Sequence, residues 1–310
     1  MSDAGSSKSP WSSPRPVGLL DSLAARCSFP PPGSELACAV SGGADSLALL
    51  ALATTAGCAV TAVHVDHGLR PGSAEDANVV EGAARRFGAT FRSVRVEVAP
   101  GPNLEERARV ARLAALPSGA ATGHTMDDQA ETVLVNLLRG AGLDGLAAMR
   151  PGPRHPILGL RRAETVALCA ELGLDPVEDP SNEDVRFVRN RVRHELLPLC
   201  SAIASRDVVP VIARQAGIAA SEADFLDALS ASLDPADTRA LAAAPEVLAR
   251  RALRRWLRSE LGHPPASAAV ERVMAVVRGE VRATEVAPGT RVSRSSGRLS
   301  RRPSGSVGAR

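Results

Sequence analysis

The stretch Leu36-Ala37-Cys38-Ala39-Val40-Ser41-Gly42-Gly43-Ala44-Asp45-Ser46-Leu47-Ala48-Leu49-Leu50 decides the fold. Five apolar residues enter a two-glycine turn, and the chain leaves it as a long apolar run. That pattern predicts strand, loop and helix. Such a loop aims backbone N–H groups at the positive end of a helix, where an anion is stabilised. Adjacent glycines let the backbone turn tightly and come close to phosphate oxygens. Ser41 and Ser46 add hydroxyl donors, Ala44 continues the loop, and Asp45 offers a carboxylate that can hold a metal ion. No Lys–Ser/Thr pair follows the last glycine, so this is not the Walker loop. An ordinary turn capped by Asp or Ser is the plain alternative. The two serines and Asp45 together favour phosphate.

Working outward, apolar runs and turn signals alternate. Helix 46–56 leads to a second strand over 59–64, which ends in the polar loop 65–70. A helix over 74–87 stops at Gly88, a third strand covers 90–98, and Asn103 caps a helix over 104–116. A weak strand at 120–122 precedes a strong helix from Thr125 to Leu138. Strands alternating with helices predict an α/β fold with a parallel, Rossmann-like sheet. Ligands on such sheets collect beyond the carboxyl ends of the strands. The unusual polar clusters at 41–46, 64–70 and 123–128 all fall there. Their convergence predicts one site.

The chain has 310 residues, room for two domains and a substantial core. Residues 1–34, rich in Ser, Pro and Gly, read as a flexible segment, 35–206 as the nucleotide domain, and 207–310 as a smaller, mainly helical domain with a basic end. No apolar run reaches the length of a membrane span, and no signal peptide is recognisable, so a cytoplasmic protein is expected. The five cysteines are scattered without a Cys-x-x-Cys pair, which argues against a disulfide framework and a zinc or iron–sulfur site. Lys8 is the only lysine among 37 basic residues. Arginine excess beyond residue 250 points to an anionic partner.

Several clusters carry candidate chemistry. Arg109 and Arg112 share a helix face. His124, Asp127 and Asp128 sit at the start of a helix facing the phosphate loop, a pattern for metal or acid–base work. Glu131 lies one turn beyond Asp128, so both carboxylates can meet one ammonium group. After an extended run at 156–158 and a helix over 161–172 comes the polar loop 178–184. Arg189, Asn190, Arg191 and Arg193 then have the chemistry of a phosphate clamp. Arg250, Arg251, Arg254, Arg255 and Arg258 load one later helix, and 281–310 reads as a basic hairpin or a frayed tail.

Ser41–Ser46 resembles the PP-loop of N-type ATP pyrophosphatases. Further segments narrow the resemblance to the tRNA(Ile)-lysidine synthetase family. They are His64–Arg70, Asn103-Leu104-Glu105 with Arg109 and Arg112, Gly123–Thr132, Leu138–Gly142, Glu178–Asn182, and Arg189-Asn190-Arg191. The likeness is strong over 36–200 and weaker over the helical part. Leu113 stands where the family often has an aromatic, and the chain resembles the shorter members with one C-terminal domain.

The resemblance implies an ATP-dependent ligase that adenylates the wobble cytidine of the CAU-anticodon isoleucine tRNA and then joins free L-lysine to it. ATP and Mg2+ are implied, with Ser41–Ser46 on the phosphates, His64 in the adenine pocket, His124 among the nucleotide contacts, and Asp45 and Asp127 near the metal. Arg109 and Arg112 would offset charge developing at the α-phosphate. Asp127 and Asp128 would orient the reacting groups, and Asp128 with Glu131 would take the lysine amine. Asn182, Arg189, Asn190 and Arg193 would clamp the anticodon loop, and Arg254 and Arg255 would meet RNA backbone. A homodimer is compatible with this reading. The competing readings are a cytidine 2-thiolation enzyme, which would want Cys-x-x-Cys pairs, and a non-catalytic nucleotide-binding protein, which would not want the converging acids and arginines.

Overall fold

A computed structural model describes residues 18–66, 73–96, 104–177, 184–262 and 265–303. The chain forms two compact units, Met1–Gly217 and Ile218–Arg310.

The first unit runs α1 (Leu19–Ala24), β1 (Glu35–Ala39), α2 (Ala44–Thr55), β2 (Ala59–Asp66), α3 (Ser73–Arg86), β3 (Thr90–Arg95), α4 (Leu104–Ala115), β4 (Ala121–Thr122), α5 (Met126–Leu138) and α6 (Leu143–Leu146). It continues through α7 (Arg162–Glu171), α8 (Val188–Arg191), a π-helical turn Val192–Leu196 and α9 (Leu197–Ala204) into α10 (Val209–Ser230). The strands make one parallel sheet in the order β3-β2-β1-β4. From β1 the chain passes through α2 to β2 on one side, whereas β4 docks on the other. The strand order therefore reverses at β1, and the loops after β1 and β4 become neighbours at the sheet's carboxyl edge.

Helix α2 explains why the first apolar run is continuous rather than periodic. Every residue from Ser46 to Ala53 is buried, as expected for a helix enclosed by sheet and neighbouring helices. Leu47, Leu49, Leu50 and Leu52 share one core with Val60 of β2, Val80 of α3, Leu168 of α7 and Leu23 of α1.

Two local expectations change. Residues 18–34 were expected to belong to the flexible segment. In the structure Leu23 of α1 is buried in the core, Ser28 N–H donates to Pro156 O at 2.8 Å, and Gly33 N–H to Gly57 O at 2.8 Å. The run 156–158 is a turn, not extended, because Leu160 N–H bonds back to Ile157 O at 2.9 Å while Ile157 plugs the core.

The second unit holds the end of α10, α11 (Thr238–Ala243), α12 (Glu246–Leu261), α13 (Ser267–Arg278) and an antiparallel sheet of β5 (Ala283–Ala287), β6 (Thr290–Ser295) and β7 (Arg298–Pro303). What read as a hairpin or a tail is a three-stranded sheet. Val286, Val292 and Leu299 complete a core with Leu253 and Leu257 of α12 and Val273 and Val277 of α13. Among the described residues, no single helix is long and apolar enough to cross a membrane.

Candidate active site

The loop between β1 and α2 is built as its residue types require. Gly42 has φ +96°, a conformation that favours glycine, and its carbonyl accepts Val177 N–H at 3.0 Å. Gly43 is the N-cap of α2, and its carbonyl accepts the N–H groups of Ser46 and Leu47, each at 3.0 Å. Ser46 is buried, and its hydroxyl donates to Gly43 O at 2.8 Å while accepting Ser41 N–H at 3.2 Å. Ser46 thus fixes the loop's curvature. Ser41 Oγ lies 3.3 Å from Ser46 Oγ.

The loop after β4 sits directly against this turn. A Cβ on Gly123 would lie 2.8 Å from Asp45 O and 3.0 Å from Ser46 N. This close backbone approach brings α5 beside α2. His64, at the end of β2, is buried with Nδ1 2.9 Å from Val40 O. A carbonyl only accepts, so Nδ1 carries the proton there. His124 Nδ1 lies 2.7 Å from Thr122 Oγ1, which is also 2.9 Å from His155 Nδ1. The two imidazoles meet edge to face with centroids 5.1 Å apart.

A charge network fills the space between these loops. Thr125 caps α5, and Asp128 Oδ2 accepts both Thr125 N–H at 2.8 Å and Thr125 Oγ1–H at 2.9 Å. Asp128 therefore caps α5 through Oδ2, and its Oδ1 turns to the arginines. Arg162, at the start of α7, reaches three carboxylates: Asp45 Oδ2 at 3.3 Å, Asp128 Oδ1 at 2.9 Å and Glu131 Oε1 at 3.1 Å. Glu131, wholly buried, also takes Arg189 Nε at 2.9 Å and Arg193 Nε at 2.7 Å. Arg161 grips Asp127 through Nε and Nη2, each at 3.1 Å, and also pairs with Asp207. Arg162 N–H adds a 2.8 Å bond to Asp127. Asp45 Oδ1 accepts the Thr165 hydroxyl.

These contacts set the protonation of the site. Burial alone would push Asp128 and Glu131 upward, but the surrounding arginines outweigh it and hold both below the usual carboxylate range. Asp127 is likewise held low, chiefly by Arg161 against its own burial. Asp45 differs. Burial dominates and raises its carboxyl despite the Thr165 hydroxyl and Arg162. Asp45 lies in the first turn of α2, at the end of the loop that begins at Ser41.

The structure brings Asp45, Asp127, Asp128, Glu131, Arg189 and Arg193 into one network. Asn190 is buried close by, where its amide donates to Asp184 O at 2.9 Å. Arg109 and Arg112 lie on α4, with side chains outside the described residues, as is Asn182. Arg254 and Arg255 belong to the second unit. There Arg255 donates through both Nη atoms to Ser230, and Arg254 Nη2 lies 3.4 Å from Ser267 Oγ. Sequence reasoning missed Arg161, Arg162 and Thr165. The only local signal was an Arg-Arg pair at a helix start, the dipole end that normally favours acids.

A PP-loop domain model matches residues 21–200, and a TilS substrate-binding domain model matches residues 237–300. A tRNA(Ile)-lysidine synthase from Nocardia farcinica is 42% identical over 297 residues, covering 88% of this chain and 93% of that protein.

The chain belongs to the tRNA(Ile)-lysidine synthase family.

The synthase of Rhodococcus jostii is 43% identical over 242 residues, covering 73% of this chain and 74% of its own length. Among solved structures, the U34-tRNA thiolase NcsA from Methanococcus maripaludis, with its [4Fe-4S] cluster, superposes with a TM-score of 0.50 at 16% identity. The match covers 66% of this chain and 78% of that one. That likeness concerns the fold. Here Cys38, Cys58 and Cys169 are buried, and no three His, Cys, Asp or Glu side chains among the described residues are grouped to hold a metal. The lysidine synthases are ATP-dependent ligases that form a carbon–nitrogen bond, and this chain is one of them by family.

Proposed function

We propose that this enzyme adenylates the wobble cytidine of the CAU-anticodon isoleucine tRNA at the loop Ser41–Ser46 and couples it to free L-lysine held at Asp128 and Glu131. The observation that carries the reading is the meeting, at one sheet edge, of a phosphate-type loop with two carboxylates held ionised. The cytidine O2 attacks the α-phosphate of ATP, and pyrophosphate leaves. Once the lysine ammonium has given one proton to solvent, its free amine attacks C2, and AMP departs. The first step is needed because the cytosine carbonyl oxygen is a poor leaving group and AMP a good one.

The residues support distinct tasks. Ser41, Gly43, Ala44 and the start of α2 present N–H groups and a hydroxyl to the phosphates. His64 and His124 flank the nucleotide at the ends of β2 and β4. Asp45 suits Mg2+, which takes one or two carboxylates together with substrate phosphates. Bound there, Mg2+ would neutralise charge on the departing pyrophosphate. Asp127 accepts three donors from Arg161 and Arg162, against two on Asp45 from Thr165 and Arg162, so it would position α7 as well as remain the second candidate for the metal. Carboxylates held below their ordinary range make good ammonium partners and weak bases. Asp128 and Glu131 therefore bind the lysine side chain rather than deprotonate it. Arg189 and Arg193 would give way to that ammonium or turn towards RNA. Arg109 and Arg112 are kept as candidates for the α-phosphate, and Asn182 for the anticodon loop. The cytoplasm is the proposed location.

The decisive assay incubates the enzyme with ATP, labelled lysine and either isoleucine or methionine CAU tRNA. Lysine is expected on the isoleucine tRNA alone; labelling of neither would end the reading. Asp45→Ala should abolish tRNA-dependent ATP–pyrophosphate exchange. Glu131→Gln should raise the KM for lysine roughly tenfold or more, as expected for losing a charged hydrogen bond, with the KM for ATP unchanged.

A further inference from the structure

The sheet β5–β6–β7 has two unlike faces. Val286, Val292 and Leu299 point into the core of the second unit. On the same side Arg294 Nη1 caps α13 through Val277 O at 3.0 Å, and Arg301 Nη1 reaches Glu260 O at 2.8 Å. Strand alternation places Arg291, Ser293, Arg298, Ser300 and Arg302 on the other face.

On that outer face the register sets Arg291 directly opposite Arg302, and Ser293 opposite Ser300. The two serine hydroxyls lie 3.2 Å apart. Like charges directly opposite on antiparallel strands destabilise a sheet. Glu285, the cross-strand neighbour of Arg291 on β5, offsets one of these charges without an ion pair; its Oε1 accepts Gly289 N–H at 3.0 Å. Among the described residues, Arg291 and Arg302 have no side-chain ion pair or hydrogen bond. Three arginines of α12 are unlike them. Arg250 pairs with Glu246 and Glu271, Arg251 with Asp227, and Arg255 bonds Ser230. Those charges are used in holding helices together.

We propose that the outer face of this sheet is an RNA-backbone platform, in which Arg291 and Arg302 jointly hold phosphate and Ser293 and Ser300 donate to adjacent phosphate or ribose oxygens. The inference rests on the tRNA reading above and adds the sheet to the phosphate contacts expected of Arg254 and Arg255 on α12. Two unpaired guanidiniums facing each other are a cost to the free protein that a bridging phosphate would relieve. Arginine's planar fork suits a shared phosphate better than a point charge does. A patch without apolar or aromatic side chains fits backbone contact, not base stacking.

The test measures affinity of the full chain for the isoleucine CAU tRNA across a salt series. Phosphate contacts give a linear fall of log affinity with log salt. The double variant Arg291→Ala/Arg302→Ala should bind roughly tenfold or more weakly and lose about 1 from the salt slope, about one per phosphate contact removed. Its melting temperature should be unchanged or higher, since a repulsion is gone; that result also excludes misfolding. Arg291→Lys/Arg302→Lys should keep most of the slope. Wild-type binding with an unchanged slope in the alanine variant would overturn the platform and leave the enzyme reading intact. Failure of the wild type to bind the tRNA would overturn both. Lowered affinity with an unaltered slope would mean a structural role and also overturn it.

Discussion

Gly123→Ala is expected to cripple ATP use and to destabilise the fold at once. The added Cβ would sit 2.8 Å from Asp45 O, 2.9 Å from Asp45 C and 3.0 Å from Ser46 N. These are backbone atoms at the first turn of α2, a helix buried from Ser46 to Ala53. They cannot swing aside as the tip of a flexible side chain would. Either the loop after β4 must lift or α2 must slide, and both change the phosphate loop. Overpacking of this kind costs about 1–3 kcal/mol, and a misplacement of about 1 Å in an active site can cost about 100-fold in rate. Thermal melting and tRNA-dependent ATP–pyrophosphate exchange measure the two effects. Gly43→Ala is the internal contrast, because its nearest neighbours are Ser41 Oγ at 3.7 Å and Val177 O at 3.9 Å. That variant should melt with the wild type. Equal melting and equal exchange for Gly123→Ala would show that the two loops are not held as described.

Arg162→Ala should have the second large effect, through charge. One guanidinium is shared by Asp45, Asp128 and Glu131, and its own pKa is raised because those carboxylates outweigh the cost of burying it. Removing one partner from a buried ionic group typically costs 3–5 kcal/mol. Arg189 and Arg193 still cover Glu131, so about 3 kcal/mol is the better expectation here. The pH dependence gives a sharper signature. Asp128 and Glu131 are held low, so their contribution is present above the ordinary carboxylate pKa of about 4 and disappears as pH falls through their depressed values. In the variant both rise towards the ordinary value, so this contribution shrinks and the acid limb of stability becomes shallower. Asp45 runs the other way. Its raised carboxyl contributes stability that is present at low pH and lost as pH rises through the elevated value. Without Arg162 it should rise further, increasing its opposing trend. Urea unfolding across pH 3–7 would show the change in slope. Arg162→Lys should recover only part of the loss, since an ammonium cannot span three carboxylates as a fork does. An acid limb of unchanged steepness would refute the shared-cation arrangement.

Much of the first unit was legible locally because each signal concerned a few adjacent residues. Gly42-Gly43 between two apolar runs dictated a turn at a helix start, and Thr125 with Asp128 marked the head of α5. The network itself was not legible in the same way. Asp127 read as a metal ligand, and nothing nearby in sequence told of Arg161, 34 residues on. Arg189 and Arg193 read as an RNA clamp, yet in the folded chain they cover Glu131. On α12, Arg251 meets Asp227, Arg250 meets Glu271 and Arg255 bonds Ser230, contacts that no local pattern announces.

The sequence by itself determined the strand–loop–helix with its phosphate-type turn, the alternating α/β order, and the chemistry-bearing segments that place this chain in the lysidine synthase family. These follow from backbone conformation and hydrophobic spacing, which act over a few residues. Tertiary structure alone decided which acid meets which arginine, that Gly123 must be glycine because α2 passes against it, and that the final segment is a sheet with a charged outer face. An ion pair depends on distances between residues far apart in the chain, and only the closed sheet and its packed helices fix those distances.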